Sequence, residues 1–514
     1  MASKLSSGIT EIVKGAGIVM VGSVAYNFLS FIYKFIAARY LTVEEFGMLT
    51  IGIIVVGISF TFAKLGIPSG AKRFISFYIG KNDYSRVRGI VLSSYGIVAA
   101  ASLLVGLVIF VFSDLISVAV FDTPELSDVL RIFAVAVPFG AIMSLSYEMT
   151  LGFKKPFFKV LIKTVFDRCF SIVLLLAVIF FGGGLLYVSA SFLGGYVLAA
   201  IASVVIVYFF LRQYKGKKVV YENKKLFYFS LPLIFTGVAG VIMTRIDKVI
   251  VGFFLGPEIV GVYAVAFAIS NMLVIGLGSM NALYFPIVTR YFSQGMNELM
   301  GRVYESVTRL AFLVSFPVFL VFVLFSSQII TILYGFEYSK GDLAMIILSV
   351  SFMMVVFLGP VIVTTKAIDK TKSLFYYTFI AMIVNVILNF TLIPLLMPYG
   401  LGMEAAAFST LVALFLKHYL LLREVKKSIT VRIFHHYYIK YLISGFVATV
   451  VFFIIKGFMV EINLIMMMLL AFSFAMVYGV SLLLLKSFTE EDKMLLKAIE
   501  KKIGIKKSIV ERVL

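Results

Sequence analysis

Apolar runs of about twenty residues recur along the whole chain, and this feature restricts the fold more than any other. A helix of about twenty apolar residues crosses the roughly 30 Å hydrocarbon core of a bilayer. The 514 residues are 61% hydrophobic and 14% charged, and their mean hydropathy is +1.07. This composition excludes an ordinary water-soluble domain. The sequence therefore predicts an all-α polytopic membrane protein.

Fourteen transmembrane helices are predicted when glycines, prolines and charge clusters are taken as breaks between the apolar runs. The first run lacks a small-residue cleavage site and is longer than the apolar core of a signal peptide, so we expect it in the mature protein. The predicted helices cover residues 12–38, 46–70, 90–112, 129–152, 160–181, 185–211, 226–251, 259–282, 304–326, 343–366, 374–396, 401–422, 438–457 and 463–485.

Basic residues concentrate in alternate connections between these helices. One set of connections, which includes 72–88, 154–163, 212–225 and 423–432, is rich in Lys and Arg, whereas the other set is acidic or neutral. Basic connections favour the cytoplasmic side. We therefore expect both termini in the cytoplasm and interpret the net charge of +20 as a topology signal, with membrane lipids and no nucleic acid as partners.

An internal duplication is indicated by ordered matches between two segments. Residues 33–52, YKFIAARYLTVEEFGMLTIG, resemble the segment around "DKVIVGFFLGPEIVG", with a constant offset of 214. The matching pairs are Lys34 with Lys248, Leu41 with Leu255, Glu44 with Glu258, and Gly47 with Gly261. Six predicted helices separate the equivalent points, so both copies enter the membrane from the same side and form a parallel repeat.

The duplication predicts two pseudo-symmetric six-helix lobes around a central cavity, with alternating access between them. We assign residues 1–215 to the N-terminal lobe, 216–432 to the C-terminal lobe, and 433–487 to helices 13 and 14. Residues 488–514 form a predicted cytoplasmic or interfacial amphipathic tail that begins near Thr489.

Several charged side chains interrupt the apolar spans, where hydrocarbon penalises each charge by about 2.5–3.5 kcal/mol. We predict a cationic substrate-binding cavity formed by Lys34, Arg39, Lys64, Arg245 and Lys248. Two other interpretations of these residues remain open. Lys34 and Lys248 could snorkel to the outer interface, and Arg245, Asp247 and Lys248 could form a structural ion cluster.

Other polar groups of the spans, four charged residues and four asparagines, are assigned to gating or to substrate contact. Glu148, Asp167, Arg168 and Asp247 are predicted gating or ion-coupling residues, with Lys64 as a partner in salt bridges that close the inner gate. For Lys64, Glu148, Asp167 and Arg168, anchoring of the helices and contact with the substrate remain open alternatives. Asparagines at 271, 281, 385 and 389 could hydrogen-bond a glycan or form interhelical contacts. The predicted glycan contacts are therefore Asn271, Asn281, Asn385 and Asn389.

Signatures of catalysis and of metal binding are missing from the sequence. There is no Walker A pattern, dinucleotide fingerprint or HExxH motif, and the single Cys169 excludes a multi-cysteine metal site. His435 and His436 lie in a basic aromatic stretch that we interpret as interfacial. We expect no catalytic residues, no metal and no cofactor, and hence no enzyme.

One segment resembles a known transporter family. The pattern D-K-x-x-x-G-x-x-L-G…G-x-Y, together with fourteen helices and the repeat, is similar to the polysaccharide-exporter branch of the superfamily that contains the multidrug and toxic compound extrusion (MATE) exporters. Within this branch the chain resembles the lipid-linked oligosaccharide (O-antigen) flippases. The pattern consists of Asp247, Lys248, Gly252, Leu255, Gly256, Gly261 and Tyr263.

The resemblance implies a V-shaped, MATE-like fold that moves a polyprenyl-(di)phosphate-linked glycan from the inner to the outer leaflet of a prokaryotic cell membrane. It also implies a monomer, with a glycan polymerase or transferase as a candidate partner. The alternative within transport is a cation-coupled multidrug antiporter, although helix 1 has no acidic residue between Glu11 and Glu44. A membrane glycosyltransferase is the alternative from another class.

Overall fold

Helices account for every regular element in the computed structural model, which describes residues 2–214, 218–431, 437–457, 464–485 and 487. The chain divides into two compact units. The first comprises Met1–Ala264 and Val386–Met403, and the second Val265–Asn385 and Glu404–Leu514. The predicted lobe boundary at 215/216 follows the duplication rather than this division, and it stays a prediction.

The first unit contains nine complete helices, the beginning of a tenth and one π-helical segment within the described residues. These helices are α1 (Ala2–Tyr40), α2 (Val43–Ala63), α3 (Ile67–Gly80), α4 (Tyr84–Val111), α5 (Ser113–Phe121), α6 (Leu126–Gly152), α7 (Pro156–Val160), α8 (Phe170–Phe180) and α9 (Leu185–Arg212), followed by the start of α10 (Asn223–Ser270). The π-helical segment, Leu161–Cys169, joins α7 to α8.

The second unit contains the end of α10 and most of the remaining described helices. These are α11 (Ile275–Ser293), α12 (Asn297–Leu324), α13 (Ser326–Tyr334), α14 (Asp342–Leu358), α15 (Val361–Ala367), α16 (Thr371–Leu396), α17 (Gly402–Lys426), α18 (Tyr437–Gly457) and α19 (Leu464–Leu484). The last part of α16 and the first turn of α17 belong to the first unit.

Eleven helical stretches in the described part of the chain are long and apolar enough to cross a membrane. The protein is therefore an all-α, multi-pass membrane protein, as the hydropathy predicts. Each of the fourteen predicted spans overlaps a described helix, but the number fourteen itself stays a prediction. The predicted tail from Thr489 and the pair His435–His436 lie outside the described residues.

Local sequence explains where the helices around the site begin and end. The Thr42 hydroxyl accepts from the Glu45 N–H, and the Glu45 carboxylate accepts from the Thr42 N–H at 3.0 Å, which forms a capping box at the start of α2. The predicted second span, 46–70, extends past the observed end of α2 at Ala63. Gly66 has a φ of 68°, and α3 begins directly after it with Pro68 in its first turn.

A glycine also separates the seventh and eighth predicted spans. Gly256 has a φ of 79° and a ψ of 173°, which breaks α10 between residues 251 and 259 as the sequence predicts. The eighth span differs from the prediction at its other end, since a 3₁₀ turn at Asn271–Val274 leads into α11, which continues to Ser293.

Candidate functional site

The first predicted cation, Lys34, lies on α1 beside a residue that fixes this helix against α9. The Tyr33 hydroxyl is 3.1 Å from the Val188 carbonyl oxygen and 3.0 Å from Ser191 Oγ, and its ring is fully buried. Lys34 itself is exposed, as is Arg39 in the last turn of the same helix. The backbone at Lys34 is thus fixed by its neighbour Tyr33, while the Lys34 side chain is exposed.

Arg245 is positioned by the backbone of α2. Its Nη1 donates to the Ile53 carbonyl oxygen at 2.9 Å, and the side chain is half-buried. Gly57, one turn further along α2, makes this approach possible: a Cβ at Gly57 would lie 2.3 Å from Arg245 Nη1. The guanidinium has five N–H donors, so one bond to a carbonyl leaves donors for an anion.

Asp247 and Lys248 form a compact group with Tyr263. The break at Gly256 brings the second part of α10 back toward the first, and the Tyr263 hydroxyl donates to Asp247 Oδ2 at 3.0 Å. The Lys248 ammonium lies 3.5 Å from the same carboxylate. Lys248 is only 8% exposed. This geometry favours the ion-cluster interpretation for Asp247 and Lys248 over snorkelling.

Arg168 and Asp167 lie on the π-helical segment and are both buried, with exposed fractions of 6% and 0%. Arg168 Nε is 3.6 Å from Asp167 Oδ2. Its Nη2 donates to the Tyr26 hydroxyl at 3.0 Å, and its guanidinium lies 4.6 Å from the Phe192 ring centroid. π-helical turns are frequent at functional sites because they rotate side chains out of the α-helical register.

Four of these cations share one region of the first unit. Lys34 lies within electrostatic range of Arg168, Arg245 and Lys248. Two carboxylates, Asp167 and Asp247, each lie beside one of the cations. We call Lys34, Arg168, Arg245 and Lys248 the cationic cluster. Because two carboxylates accompany four cations in this described region, the cluster carries a net positive charge that suits an anion.

One predicted gate residue, Glu148, pairs with two lysines that the sequence does not indicate as its partners. Glu148 on α6 accepts from Lys72 on α3 and from Lys159 on α7, each at 2.7 Å. Lys64, the C-cap residue of α2, lies within electrostatic range of Glu148 and Arg245. The carboxylate therefore joins three helices through two lysines that the sequence places in cytoplasmic connections, and the role of Lys64 in gating stays a prediction.

The four asparagines lie on three different elements and differ in their exposure. Asn271 is exposed in the 3₁₀ turn after α10, and Asn281 lies on α11. Asn385 and Asn389 are buried one turn apart on α16, with exposed fractions of 3% and 0%. Burial favours interhelical contacts for the last two, and a glycan contact by any of the four stays a prediction.

Many membrane proteins are all-helical, span the membrane several times and contain charged residues in their spans. The match to a sequence family assigns this chain to a narrower class. Residues 12–292 match the family described as "Polysaccharide biosynthesis protein", which is more than half of the chain. The chain belongs to this family. Residues 232–391 also match the MatE family, so the resemblance drawn from the Asp247–Tyr263 pattern is confirmed.

Curated relatives are about a quarter identical to the chain within the segments that align. It is 24% identical over 198 residues to the probable low-salt glycan biosynthesis flippase Agl15 of Haloferax volcanii, a match covering 38% of this chain and 40% of the relative. It is 22% identical over 195 residues to the capsular polysaccharide biosynthesis protein CapF of Staphylococcus aureus, covering 36% and 48%. The matches thus span less than half the length of these relatives.

Solved structures share the fold. The lipid II flippase MurJ in an inward closed conformation superposes with a TM-score of 0.69 at 16% identity, over 90% of this chain and 97% of MurJ. An inward-facing MATE family transporter of the MOP superfamily gives a TM-score of 0.63 at 16% identity, over 78% and 94%. The predicted MATE-like fold is therefore confirmed.

Proposed function

We propose that the protein is a flippase that moves a polyprenyl-(di)phosphate-linked oligosaccharide from the inner to the outer leaflet by alternating access. The observation that carries this proposal is the cationic cluster. Its four members, Lys34, Arg168, Arg245 and Lys248, are close enough for the charge of Lys34 to interact with the other three. Membership of the polysaccharide biosynthesis family and the names of two relatives as flippases support the same substrate class.

Binding of a diphosphate headgroup would explain why charged side chains are kept in the spans although hydrocarbon penalises them. A diphosphate that enters hydrocarbon loses its hydration shell, and charge-assisted hydrogen bonds from Arg and Lys replace it. Arg245 suits this role because Gly57 and the Ile53 carbonyl fix its guanidinium while leaving other donors available. Lys34 suits it because its side chain is exposed. Lys248 and Arg168, each beside a carboxylate, would set the surrounding potential rather than contact the phosphates first.

The proposal includes the expected setting of the protein. It places the chain in the cytoplasmic membrane of a prokaryote, with both termini in the cytoplasm, as a monomer that works beside a glycan polymerase or transferase. It assigns no catalytic step and no cofactor to the chain. The substrate's tail stays in the bilayer, so only the charged head requires the cluster.

A transport assay tests the proposal. Proteoliposomes would contain a fluorescent polyprenyl-diphosphate disaccharide, and a membrane-impermeant quencher would report its movement between leaflets. We expect Lys34→Ala and Arg245→Ala to slow movement by about ten-fold or more, since each removes a charged donor worth about 1.5–3 kcal/mol. Lys154→Ala, an exposed lysine in a connection, is the control.

Two results would contradict the proposal. One is wild-type movement no faster than in protein-free vesicles. The other is gradient-driven efflux of a cationic dye with no glycan movement, which would favour the multidrug antiporter suggested by the MatE match at residues 232–391. Formation of a new glycoside from the same lipid in detergent would instead favour the glycosyltransferase.

A further inference from the structure

A second group of cations in the first unit is held by aromatic rings. The guanidinium carbon of Arg73 lies 4.2 Å from the Phe229 ring centroid. Lys81 Nζ lies 4.6 Å from the Phe77 ring centroid. Lys225 Nζ donates to the Tyr78 hydroxyl at 3.1 Å. We call Arg73, Lys81 and Lys225 with these rings the basic aromatic face.

The face keeps its positive charge because nearby carboxylates are already engaged. Arg86 binds both Asp83 and Glu222, the latter at 2.8 Å. The pKa of Asp83 lies below its ordinary value because the Arg86 backbone N–H donates to this carboxylate. Residues 72–88 and 218–225 contain eight Lys and Arg but only these two acidic residues. The three ring-held cations are all exposed.

Backbone contacts bring the two segments together at the end of several spans. The Val220 N–H donates to the Ser85 carbonyl oxygen at 3.2 Å. The segment that carries Arg73 and Lys81 lies between two candidate spans, Val43–Ala63 and Tyr84–Val111. Residues 221–225, including Lys225, line an open depression of the surface. The face is therefore at the level where spans leave the hydrocarbon.

Exposed apolar side chains stand beside the cations. Phe77 is 46% exposed and Tyr228 is 72% exposed. Aromatic side chains with neighbouring Lys and Arg are typical of surfaces that meet the bilayer interface, where anionic headgroups attract basic residues. A soluble acidic partner would leave the exposed apolar rings in water, whereas the boundary between headgroups and acyl chains of a leaflet would bury them.

From this arrangement we infer that the basic aromatic face binds the headgroup of an anionic phospholipid, with Arg73, Lys81 and Lys225 contacting its phosphate region. The rings restrict the flexible cationic side chains and so reduce the ordering cost of binding. This lipid site is separate from the cationic cluster and does not depend on the flippase activity. Its occupant is a resident lipid of the leaflet rather than the transported molecule.

Native mass spectrometry of the full-length protein tests this site. Detergent-purified protein would be titrated with phosphatidylglycerol and, separately, with phosphatidylcholine. The face variant Arg73→Gln/Lys81→Gln/Lys225→Gln should lose preferential phosphatidylglycerol binding by about ten-fold or more. The control variant Lys154→Gln/Lys155→Gln/Lys372→Gln changes the net charge equally at three exposed lysines and should bind phosphatidylglycerol like wild type.

A charge-preserving variant separates lipid binding from misfolding. Arg73→Lys/Lys81→Arg/Lys225→Arg keeps all three charges and should retain phosphatidylglycerol. Equal binding by the face and control variants would overturn the inference, as would displacement of the lipid by inorganic phosphate, which would indicate a site for free anions. Because no glycan substrate is present in this measurement, its outcome is independent of the transport assay.

Discussion

Gly47 on α2 and Gly261 on the second part of α10 pack backbone against backbone. A Cβ at Gly261 would lie 2.5 Å from the Val43 carbonyl oxygen and 3.2 Å from the Gly47 nitrogen, and a Cβ at Gly47 would lie 1.8 Å from the Pro257 carbonyl oxygen. The two glycines are equivalent in the predicted duplication, with an offset of 214. Contact between equivalent residues is what a two-fold relation predicts near its axis.

This contact predicts that neither glycine tolerates a side chain. Gly47→Ala and Gly261→Ala should each lower the free energy of unfolding by about 1–3 kcal/mol, because overpacking forces the two backbones apart. Thermal unfolding of the detergent-purified protein measures the effect. Gly96→Ala is the matched control, since nothing lies within 4 Å of a Cβ at that helical position. Equal melting temperatures for all three variants would show that the backbones do not approach this closely.

Gly57 should matter for transport more than for stability. In Gly57→Ala the new methyl group would lie only 2.3 Å from Arg245 Nη1, so the arginine side chain moves and its bond to the Ile53 carbonyl is lost. We expect glycan-lipid movement in proteoliposomes to fall by about ten-fold. The double variant Gly57→Ala/Arg245→Lys should recover part of this loss, because a slim ammonium fits beside the methyl group. No difference between Gly57→Ala and Gly96→Ala would argue against this role of Gly57.

The sequence predicts the helical architecture well because its signals are local. Apolar length predicts the spans, and Gly256 with Pro257 predicts the break in α10, since both depend on neighbouring residues alone. The contacts of the charged side chains, in contrast, do not depend on neighbouring residues alone. Tyr26, which binds Arg168, lies 142 residues before it, and Phe192 lies on another helix, α9. No local pattern indicates either contact.

Gly57 illustrates the same limit. In the sequence it is one glycine of an apolar run, and only the structure places the Arg245 guanidinium over it. Lys72 and Lys159 are a further example: charge counting assigns them to connections, whereas both bind Glu148. A signal was available for Tyr263, which belongs to the family-like pattern, but its bond to Asp247 follows from the fold.

Removal of only one partner of the buried pair Asp167–Arg168 should strongly destabilise the protein. Arg168→Gln removes the paired counter-charge of the fully buried Asp167 carboxylate, and we expect a loss of about 3–5 kcal/mol in the free energy of unfolding. Asp167→Asn/Arg168→Gln should cost clearly less than Arg168→Gln. A double-mutant cycle by thermal or chemical unfolding checks this order. Additive losses would show that the two groups do not interact.

Glu148 should depend on Lys159 rather than on Lys64. Glu148→Gln removes two charged hydrogen bonds that join α6 to α3 and α7, and we expect it to cost about 1.5–3 kcal/mol of stability. The charge swap Glu148→Lys/Lys159→Glu should restore part of the loss, whereas Glu148→Lys/Lys64→Glu should not. If only the swap with Lys64 rescued the protein, the result would support the Lys64–Glu148 salt bridge that the sequence predicts for the inner gate.

The orientation of the chain in the membrane can be tested with introduced cysteines, because Cys169 is the single native cysteine. In a Cys169→Ser background, we expect Glu125→Cys to react with a membrane-impermeant maleimide on intact cells. Lys154→Cys should react only after the cells are permeabilised, since alternate connections differ in basic content and the basic ones favour the cytoplasm. Both side chains are exposed at the ends of helices, so access to reagent depends on the side of the membrane. The reverse labelling pattern would place the termini outside and would invert the direction of transport in the proposed function.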